Sequence, residues 1–441
     1  MLSPRGRPLW LAALIALGSS GADAAGLDRA LQPPPKPTLT LTMLESPRPV
    51  PRPPLAREVP VPAAEVSTVN LGFQHWIESF RNRALAQGIS PAVFDAAFRE
   101  VRYDTDAIAR DRNQSEFVKP IWEYLDSAAS ETRIANGRAA LAEHAALLDA
   151  IEARYGVDKE VVVAIWGLES AYGSHRGSTN IIDALATLAY DGRRGKLFES
   201  QLIAALKILQ SGDTDARHMT GSWAGAMGHT QFMPTSYLDY AVDFTGDGKR
   251  DIWSDDPADA LASTAAYLAR FGWKKGQPWG VEVALPQGFD ARLADRRVMQ
   301  MPSQWSAMGV RDMDGRGVPD YGRAAILLPA GARGAAFMIF DNFKVIERYN
   351  AADAYVIGVG HLSDRLKGGP QIRGAWPRGD RALLLAERKE LQERLTRAGF
   401  DTQGVDGRIG PNTIDALRAY QKAVGMVPDG YASVEVLKRL R

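Results

Sequence analysis

The sequence predicts a mainly helical chain with one small β element and a compact helical module at its C-terminal end. Three observations carry that prediction. Apolar residues recur at helical intervals from about Phe73 to Phe271, strand-like sequence is confined to two short stretches, and two amphipathic segments follow a breaker-rich linker. With 441 residues, 45% of them hydrophobic and 24% charged, the chain has material for two or three globular domains. A formal net charge of +1 leaves no electrostatic footprint for nucleic acid or an acidic membrane. Cysteine is absent, which excludes disulfides, a thiol-linked lipid anchor and a cysteine nucleophile.

The chain opens with the order of parts of a secretory signal peptide over residues 1–24. Arg5 and Arg7 precede the apolar run Leu9–Leu17, and small residues end at Ala22-Asp23-Ala24. That run is too short to span a bilayer comfortably, and no later stretch is long and apolar enough. An exported, soluble mature chain with no transmembrane span is expected. Residues 25–69 are crowded with proline from Pro33 to Pro62; they favour extended conformations, cannot build a core and read as a tether.

The main domain is expected over residues 70–370. Phe73–Phe80 has helical spacing, and Ser90 followed by Pro91 is a capping residue with proline at the first helical position. Residues 115–125, 134–155, 196–209 and about 257–271 also read as helices. Gly280–Leu285 and Gly334–Phe340 are the strand candidates. Residues 371–386, with Arg373-Gly-Ala-Trp-Pro-Arg-Gly-Asp380 at their centre, read as a linker. Residues 387–441 form the module, with helices at Leu391–Gly399 and Thr413–Gln421. Asp-Gly turns at Asp406-Gly407 and Asp429-Gly430 suggest a weak internal repeat. The module is small for an enzyme and has neither His nor Cys, so a binding role is favoured.

The chemistry centres on Val161-Val-Val-Ala-Ile-Trp-Gly-Leu-Glu-Ser-Ala-Tyr-Gly173, where a largely apolar run meets a single carboxylate, Glu169. On a helix, Glu169 shares a face with Val162, Ile165 and Trp166. A carboxyl held there loses hydration, so its pKa rises and it can carry a proton at neutral pH. The stretch alone leaves open a buried Glu satisfied by an Arg or by helix-end amides. Other hydrolase chemistries lack their residues. The six His are scattered with no H-E-x-x-H, no G-x-S-x-G occurs, and carboxylate chemistry remains.

Two further stretches carry site signals. Gly221-Ser-Trp-Ala-Gly-Ala-Met-Gly-His-Thr-Gln-Phe-Met-Pro234 combines glycines that allow close backbone approach with apolar surface and the neutral donor–acceptor Gln231, a mixture suited to sugars. A glycine-rich turn between helices is the alternative. Asp243-Phe-Thr-Gly-Asp-Gly-Lys-Arg-Asp251 has the spacing of a calcium loop. Oxygen donors stand at positions 1, 3, 5 and 9, Gly248 is at position 6, and Lys249 ligates through its carbonyl. Position 12 is Ser254, so Asp255, Asp256 or Asp259 must supply the last ligand.

Glu169-Ser-Ala-Tyr-Gly173, Asp191-Gly-Arg-Arg194, Gly221–Gly228, Gln231-Phe-Met-Pro234 and Tyr240–Gly248 occur in the order found in the membrane-bound lytic murein transglycosylase B family, which residues 70–370 resemble. Asp406-Gly-Arg-Ile-Gly-Pro-Asn-Thr413 and Ala419-Tyr-Gln421 resemble the peptidoglycan-binding type 1 domain, a three-helix module. The resemblance implies a lysozyme-like (α+β) catalytic domain that acts on peptidoglycan glycan strands. It would cleave the MurNAc–GlcNAc β-1,4 bond without water and leave a 1,6-anhydro end. Glu169 falls on the family's single acid/base. The sugar-contacting positions map onto Ser222, Gln231, Tyr267, Tyr349, Asn350, Tyr355, Tyr124, Arg193 and Arg194. A structural Ca2+ is implied on Asp243, Thr245, Asp247, Lys249 and Asp259. Many members carry a lipid-attachment cysteine; its absence here points to a soluble periplasmic form. A hydrolytic muramidase would need a second carboxylate, for which Asp183 is the sequence candidate.

Overall fold

The computed structural model describes residues 70–113 and 119–441. The signal peptide, the proline-rich tether and the first residues of the helix expected at 115–125 lie outside the described residues. Three helices come first: α1 (Leu71–Ala86), α2 (Pro91–Phe98) and α3 (Thr105–Asn113). Ser90 caps α2 by accepting the Val93 amide at 3.3 Å, as its position before Pro91 predicts. Phe80 of α1 packs on Phe94 and Phe98 of α2, with ring centroids 5.9 Å apart in both pairs, and this ties α1 to α2.

Next come α4 (Ile121–Ala128), α5 (Glu131–Glu143) and α6 (Ala145–Tyr155). The sequence reads 134–155 as one helix, but the structure divides it at His144. The His144 amide closes α5 on Ala140, and its carbonyl opens α6 by accepting from Leu148. With no proline or glycine at that point, nothing in the local sequence marks the break. At the centre lies α7 (Lys159–Ser170), whose residues Val161 to Gly167 are all buried. Helices α5 and α6 pack against it. So do two later helices, one after the calcium-type loop and one before the linker. A helix buried all round cannot show the two-sided pattern of a surface helix, which is why this run looks uniformly apolar.

Strand β1 (Thr179–Asn180) pairs antiparallel with β2 (Thr220–Gly221), enclosing the helical pair α8 (Ile181–Asp191) and α9 (Gly195–Ser211). Helices α10 (Pro234–Tyr240) and α11 (Ala258–Arg270) flank the calcium-type loop. A second sheet contains β3 (Gly280–Ala284), β4 (Arg311–Asp312), β5 (Ala325–Leu327) and β6 (Ala336–Ile339) in the order β4-β3-β6-β5, all antiparallel. The sequence anticipates β3 and β6; β4 and β5 are too short to show a period. The sheet has its own core of Val283, Trp305, Ile326, Met338 and Phe340, with Trp305 from α12 (Pro302–Ala307). From it the chain returns through α13 (Asp341–Tyr349) and α14 (Asp353–Leu366), and α14 packs along α7.

Residues after α14 form no regular element, as a linker should, yet they are fastened down. The Glu282 carboxylate accepts the Arg373 amide at 2.9 Å and the Gly374 amide at 2.5 Å. Arg378 pairs with both Asp126 oxygens at 2.7 and 2.9 Å, and Trp376 packs between Trp122 and Phe337. The C-terminal module follows as α15 (Leu385–Arg397), α16 (Pro411–Ala423) and α17 (Val434–Leu440) around Leu391, Leu395, Leu417, Tyr420, Val436 and Leu437.

The suspected repeat has a physical basis. Buried Gln392 accepts the Gly407 amide at 2.7 Å and donates to Asp406, while buried Gln421 accepts the Gly430 amide at 2.8 Å and donates to Asp429. Each Asp-Gly turn is thus held by a glutamine of the preceding helix.

Helix α14 is set against the sheet by Gly360. A methyl group there would sit 2.3 Å from the Trp279 ring, whose Nε1 donates to Asp364 at 2.8 Å. Gly360→Ala is therefore expected to push Trp279 aside and lower stability by about 1–3 kcal/mol, measured by denaturant unfolding. An unchanged midpoint would show that Trp279 can move freely.

Candidate active site

Glu169 is the penultimate residue of α7, and the chain turns sharply just beyond it. Ala171, Tyr172 and Gly173 all take left-handed backbone angles, with φ of 47°, 58° and 83°. Two of these are not glycine, so the turn costs free energy that surrounding contacts must offset. Those contacts are specific. Tyr172 folds back so that its hydroxyl donates to the Arg133 carbonyl at 2.8 Å. Its ring occupies space that Gly137 and Gly167 leave open, where a methyl would approach it to 2.5 and 2.6 Å. Ser170 donates to the His229 carbonyl at 2.5 Å and accepts the Gly173 amide at 2.9 Å. The end of α7 is thereby tied to the glycine-rich loop.

That loop is compact. The Ser222 amide donates to the Ala226 carbonyl, and the Ser222 hydroxyl accepts the Ala226 amide at 3.0 Å. A methyl on Gly228 would lie 2.2 Å from the Ile252 carbonyl, so only glycine fits. Gln231 is buried with a left-handed φ of 56°, and its Nε2 donates to the carbonyls of Arg176 and Gly228, both at 2.9 Å. This fixes the amide orientation and leaves its Oε1 as the group unused within the described protein. His229 links the loop to α7. Trp166 Nε1 can only donate and lies 3.2 Å from His229 Nδ1, so Nδ1 accepts, while Nε2 lies 2.8 Å from the Ser254 carbonyl and 3.0 Å from Arg176 Nη1. Burial lowers the His229 pKa, in keeping with a neutral ring.

Around Glu169 the helices supply three tyrosines. Tyr355, two residues into α14, donates to Glu169 Oε1 at 2.6 Å. Tyr124 of α4 and Tyr349 at the end of α13 lie close enough for the Glu169 charge to raise their pKa values, behind burial as the larger cause. Glu169 itself is half-buried yet densely surrounded by protein, and desolvation pushes its pKa up to about 7 while the Tyr355 hydroxyl pulls the other way. Among the described residues no other carboxylate hydrogen-bonds to it. Asp183 is occupied elsewhere, accepting the Arg102 amide at 3.0 Å beside α2.

The structure distributes the remaining sequence candidates unevenly. Tyr349 donates to the Thr230 carbonyl at 2.5 Å, which joins α13 to the glycine-rich loop. Asn350 is buried and accepts the Ala352 amide at 3.0 Å just ahead of α14. Tyr267 of α11 is buried with its hydroxyl spent on the Arg348 carbonyl at 2.6 Å, so it backs the Tyr349 ring from behind. Arg193 and Arg194, at the α8–α9 corner, converge on the buried Asp111 of α3. Both help to hold α3, though one carboxylate balances only one of their two charges. Residues that sequence reasoning passed over are Ser170, Tyr172, Trp166 and His229 as supports. Ser170 and Tyr172 stand in the Glu169 motif, but their partners lie 59 and 39 residues away.

The loop over Asp243–Asp251 brings one carboxylate oxygen each of Asp243, Asp247 and Asp259 within 4.8 Å of one another. Gly246 and Gly248 take positive φ, and the Asp243 carboxylate accepts both their amides. Asp259 is buried and accepts the amides of Phe244, Thr245 and Asp251, while Asp255 is paired with Arg176 and Asp256 caps Ala258. Of the three candidates for the last ligand, the structure thus brings Asp259 to the loop. Three facing carboxylates of hard oxygen donors suit a calcium ion.

Residues 72–364 match the family model of the transglycosylase SLT domain. The chain belongs to that family. A model of the peptidoglycan binding domain matches residues 385–440. Membrane-bound lytic murein transglycosylase B of Escherichia coli K12 is 37% identical over 215 residues, covering 47% of this chain and 56% of that protein. The chain therefore spans little more than half the length of this curated relative. Crystal structures of SltB3 from Pseudomonas aeruginosa, in complex with NAG-anhNAM-pentapeptide and with NAG-NAM-pentapeptide, are 51% identical. They cover 84% of this chain and 99% of theirs, with a TM-score of 0.82. The Escherichia coli lytic transglycosylase Slt35 in complex with calcium is 29% identical, covering 67% of this chain and 92% of that one, with a TM-score of 0.55. The fold is thus the lysozyme-like one of lytic transglycosylases, with a helical peptidoglycan-binding module appended. No helix among the described residues is long and apolar enough to cross a membrane.

Because its folded pKa lies above the unfolded value of 4.5, Glu169 contributes stability that is complete below pH 4.5 and lost as pH rises through about 7. Glu169→Gln keeps an acceptor for Tyr355 and removes the charge. Its melting temperature is expected to exceed that of wild type at pH 8, the gap closing at pH 4. Equal melting at both values would mean that the carboxyl is not perturbed.

Proposed function

We propose that the protein is an exported, periplasmic lytic transglycosylase that cleaves the MurNAc–GlcNAc bond of peptidoglycan with Glu169 as its single acid and base. One observation carries the reading: a solitary carboxyl, raised to about 7 by burial and ringed by Tyr124, Tyr349 and Tyr355. A proton is then available at neutral pH for the glycosidic oxygen. As the C1–O bond breaks, Glu169 gives its proton to the departing sugar hydroxyl. The resulting carboxylate takes the proton of the muramyl 6-hydroxyl as that oxygen bonds to C1, closing the 1,6-anhydro ring. The proton returns to Glu169 and no water is consumed. An internal nucleophile needs no second carboxylate, and its effective concentration replaces that of an activated water.

The other residues follow from their placement. Tyr355 steadies the carboxylate formed midway. Ser222, Gln231, Tyr349, Asn350 and Tyr124 line the approach with neutral donors, acceptors and rings suited to sugar hydroxyls. Tyr267 holds Tyr349 in place. Arg193 and Arg194 hold α3 through Asp111.

Digestion of purified sacculi, followed by mass spectrometry, tests the chemistry. Wild type should release anhydro-ended muropeptides, Glu169→Gln none, and the rate should fall as pH rises above about 7. Products heavier by one water would replace this reading with hydrolysis, and equal products from both proteins would remove Glu169 from the reaction.

Calcium is proposed on Asp243, Asp247 and Asp259, with Thr245 and the Lys249 carbonyl completing the shell. The ion would supply charge balance to the loop, whose exit at Ser254 receives His229. Adding calcium to chelator-treated protein should raise its melting temperature by several degrees, and Asp247→Asn should blunt that shift. Identical melting with and without the ion would leave the loop a self-sufficient turn.

A further inference from the structure

A cleft of about 460 Å³ separates the C-terminal module from the catalytic part, and its construction suits a ligand better than a packing defect. Its apolar lining comes from both sides, with Ile121 and Leu327 facing Ile414 and Tyr431. Most charges along it cancel. Asp295 is bound by Arg297 and by Arg418 at 2.7 and 2.6 Å, and Arg297 continues to Asp415 at 2.7 Å. Arg296 is shared between Glu347 and Asp353. The Arg297–Asp415 and Arg418–Asp295 pairs also clamp the module in place, together with the Asp429 carboxylate that accepts the Ala332 amide at 2.9 Å.

Two cations and one carboxylate, Asp429, are left without an ion-pair partner among the described residues. Arg388 is half-buried and spends Nε and Nη1 on the carbonyls of Gly407 and Leu383, at 2.7 and 3.0 Å. Among the described residues it has no carboxylate partner, and Nη2 has no acceptor. Lys119, exposed on the opposite wall, carries no ion pair among the described residues either. Arg388 and Lys119 give the apolar cleft two groups that can each take a carboxylate of a small-residue peptide.

The cleft also lies within reach of the reacting sugar. Ile121, at its edge, is one helical turn before Tyr124 on the same face of α4, and Tyr124 senses the Glu169 charge. One turn of helix is about 5 Å, whereas five residues of extended peptide reach about 17 Å. A peptide attached to a sugar beside Glu169 can therefore enter it.

We propose that this cleft between module and catalytic part holds the carboxylate-bearing stem peptide of the glycan strand, with Arg388 and Lys119 as its anion-binding groups. The inference rests on the transglycosylase reading. It makes the module a determinant of which strands are cut, beyond its general attachment to the wall.

The test uses the full chain and two substrates: glycan strands carrying tetrapeptides and the same strands stripped of peptide by an amidase. Arg388→Gln is expected to raise KM on the peptide-bearing strands about fivefold, with KM and kcat on stripped strands unchanged. Lys119→Glu should act in the same direction, and Arg388→Lys should recover part of the loss. Lys119 is exposed, so Lys119→Glu carries the test even where Arg388→Gln weakens the module. An equal change on both substrates, or no change on either, would overturn the inference. Anhydro-ended products from wild type on stripped strands keep the transglycosylase reading standing in that event; their absence would remove the reading itself.

Discussion

A carboxyl group that keeps its proton at neutral pH has to be deprived of water without being offered a cation, and the structure is arranged around that requirement. Glu169 ends a helix whose body is wholly buried, so its backbone position cannot relax toward solvent. The groups brought close to it are phenols, which donate a hydrogen bond but hold no charge. A guanidinium in place of Tyr355 would satisfy the carboxylate just as well and would drive its pKa down, so that no proton would remain on it at neutral pH.

The need for that isolation explains the effort spent on supports. Two non-glycine residues in left-handed conformation, Ala171 and Tyr172, follow Ser170, and their strain is held by Tyr172 in its two-glycine slot and by Ser170 on the His229 carbonyl. His229 in turn reads Trp166, three residues before Glu169, and Ser254, at the exit of the calcium-type loop. Loop, helix and acid are therefore one hydrogen-bonded unit. The Asp243–Asp259 region is thus linked through a single neutral imidazole to the helix that carries the carboxyl.

Much of this was legible from residue order, and the failures have physical causes. The buried acid, the glycine-rich loop and the Asp-rich loop all announce themselves by local composition, since each needs its special residues close together in sequence. The helix break at His144 and the strands β4 and β5 do not, because tertiary packing decides them without local punctuation. The same limit governs site residues. Motif position places Arg193 and Arg194 beside a sugar, but sequence cannot show that both also pair with Asp111, folded in from α3, whose one carboxylate balances one of the two charges. Tyr267 likewise stands in a suitable motif, yet only the packed structure reveals that its hydroxyl is committed to a backbone carbonyl. What a polar side chain can do depends on what it has left after its neighbours are satisfied.

The same accounting changes the meaning of the C-terminal module. Its Asp-Gly turns are locked by Gln392 and Gln421, its linker is pinned by Glu282 and Asp126, and ion pairs through Asp295 and Asp415 fix it against the catalytic part. A binding module on a flexible tether only raises the local concentration of its target, by an amount set by tether length. One fastened at several points also dictates direction, because whatever it holds can approach Glu169 along few paths. The proline-rich segment before residue 70 has the composition for distance; the stretch after α14 is built for orientation.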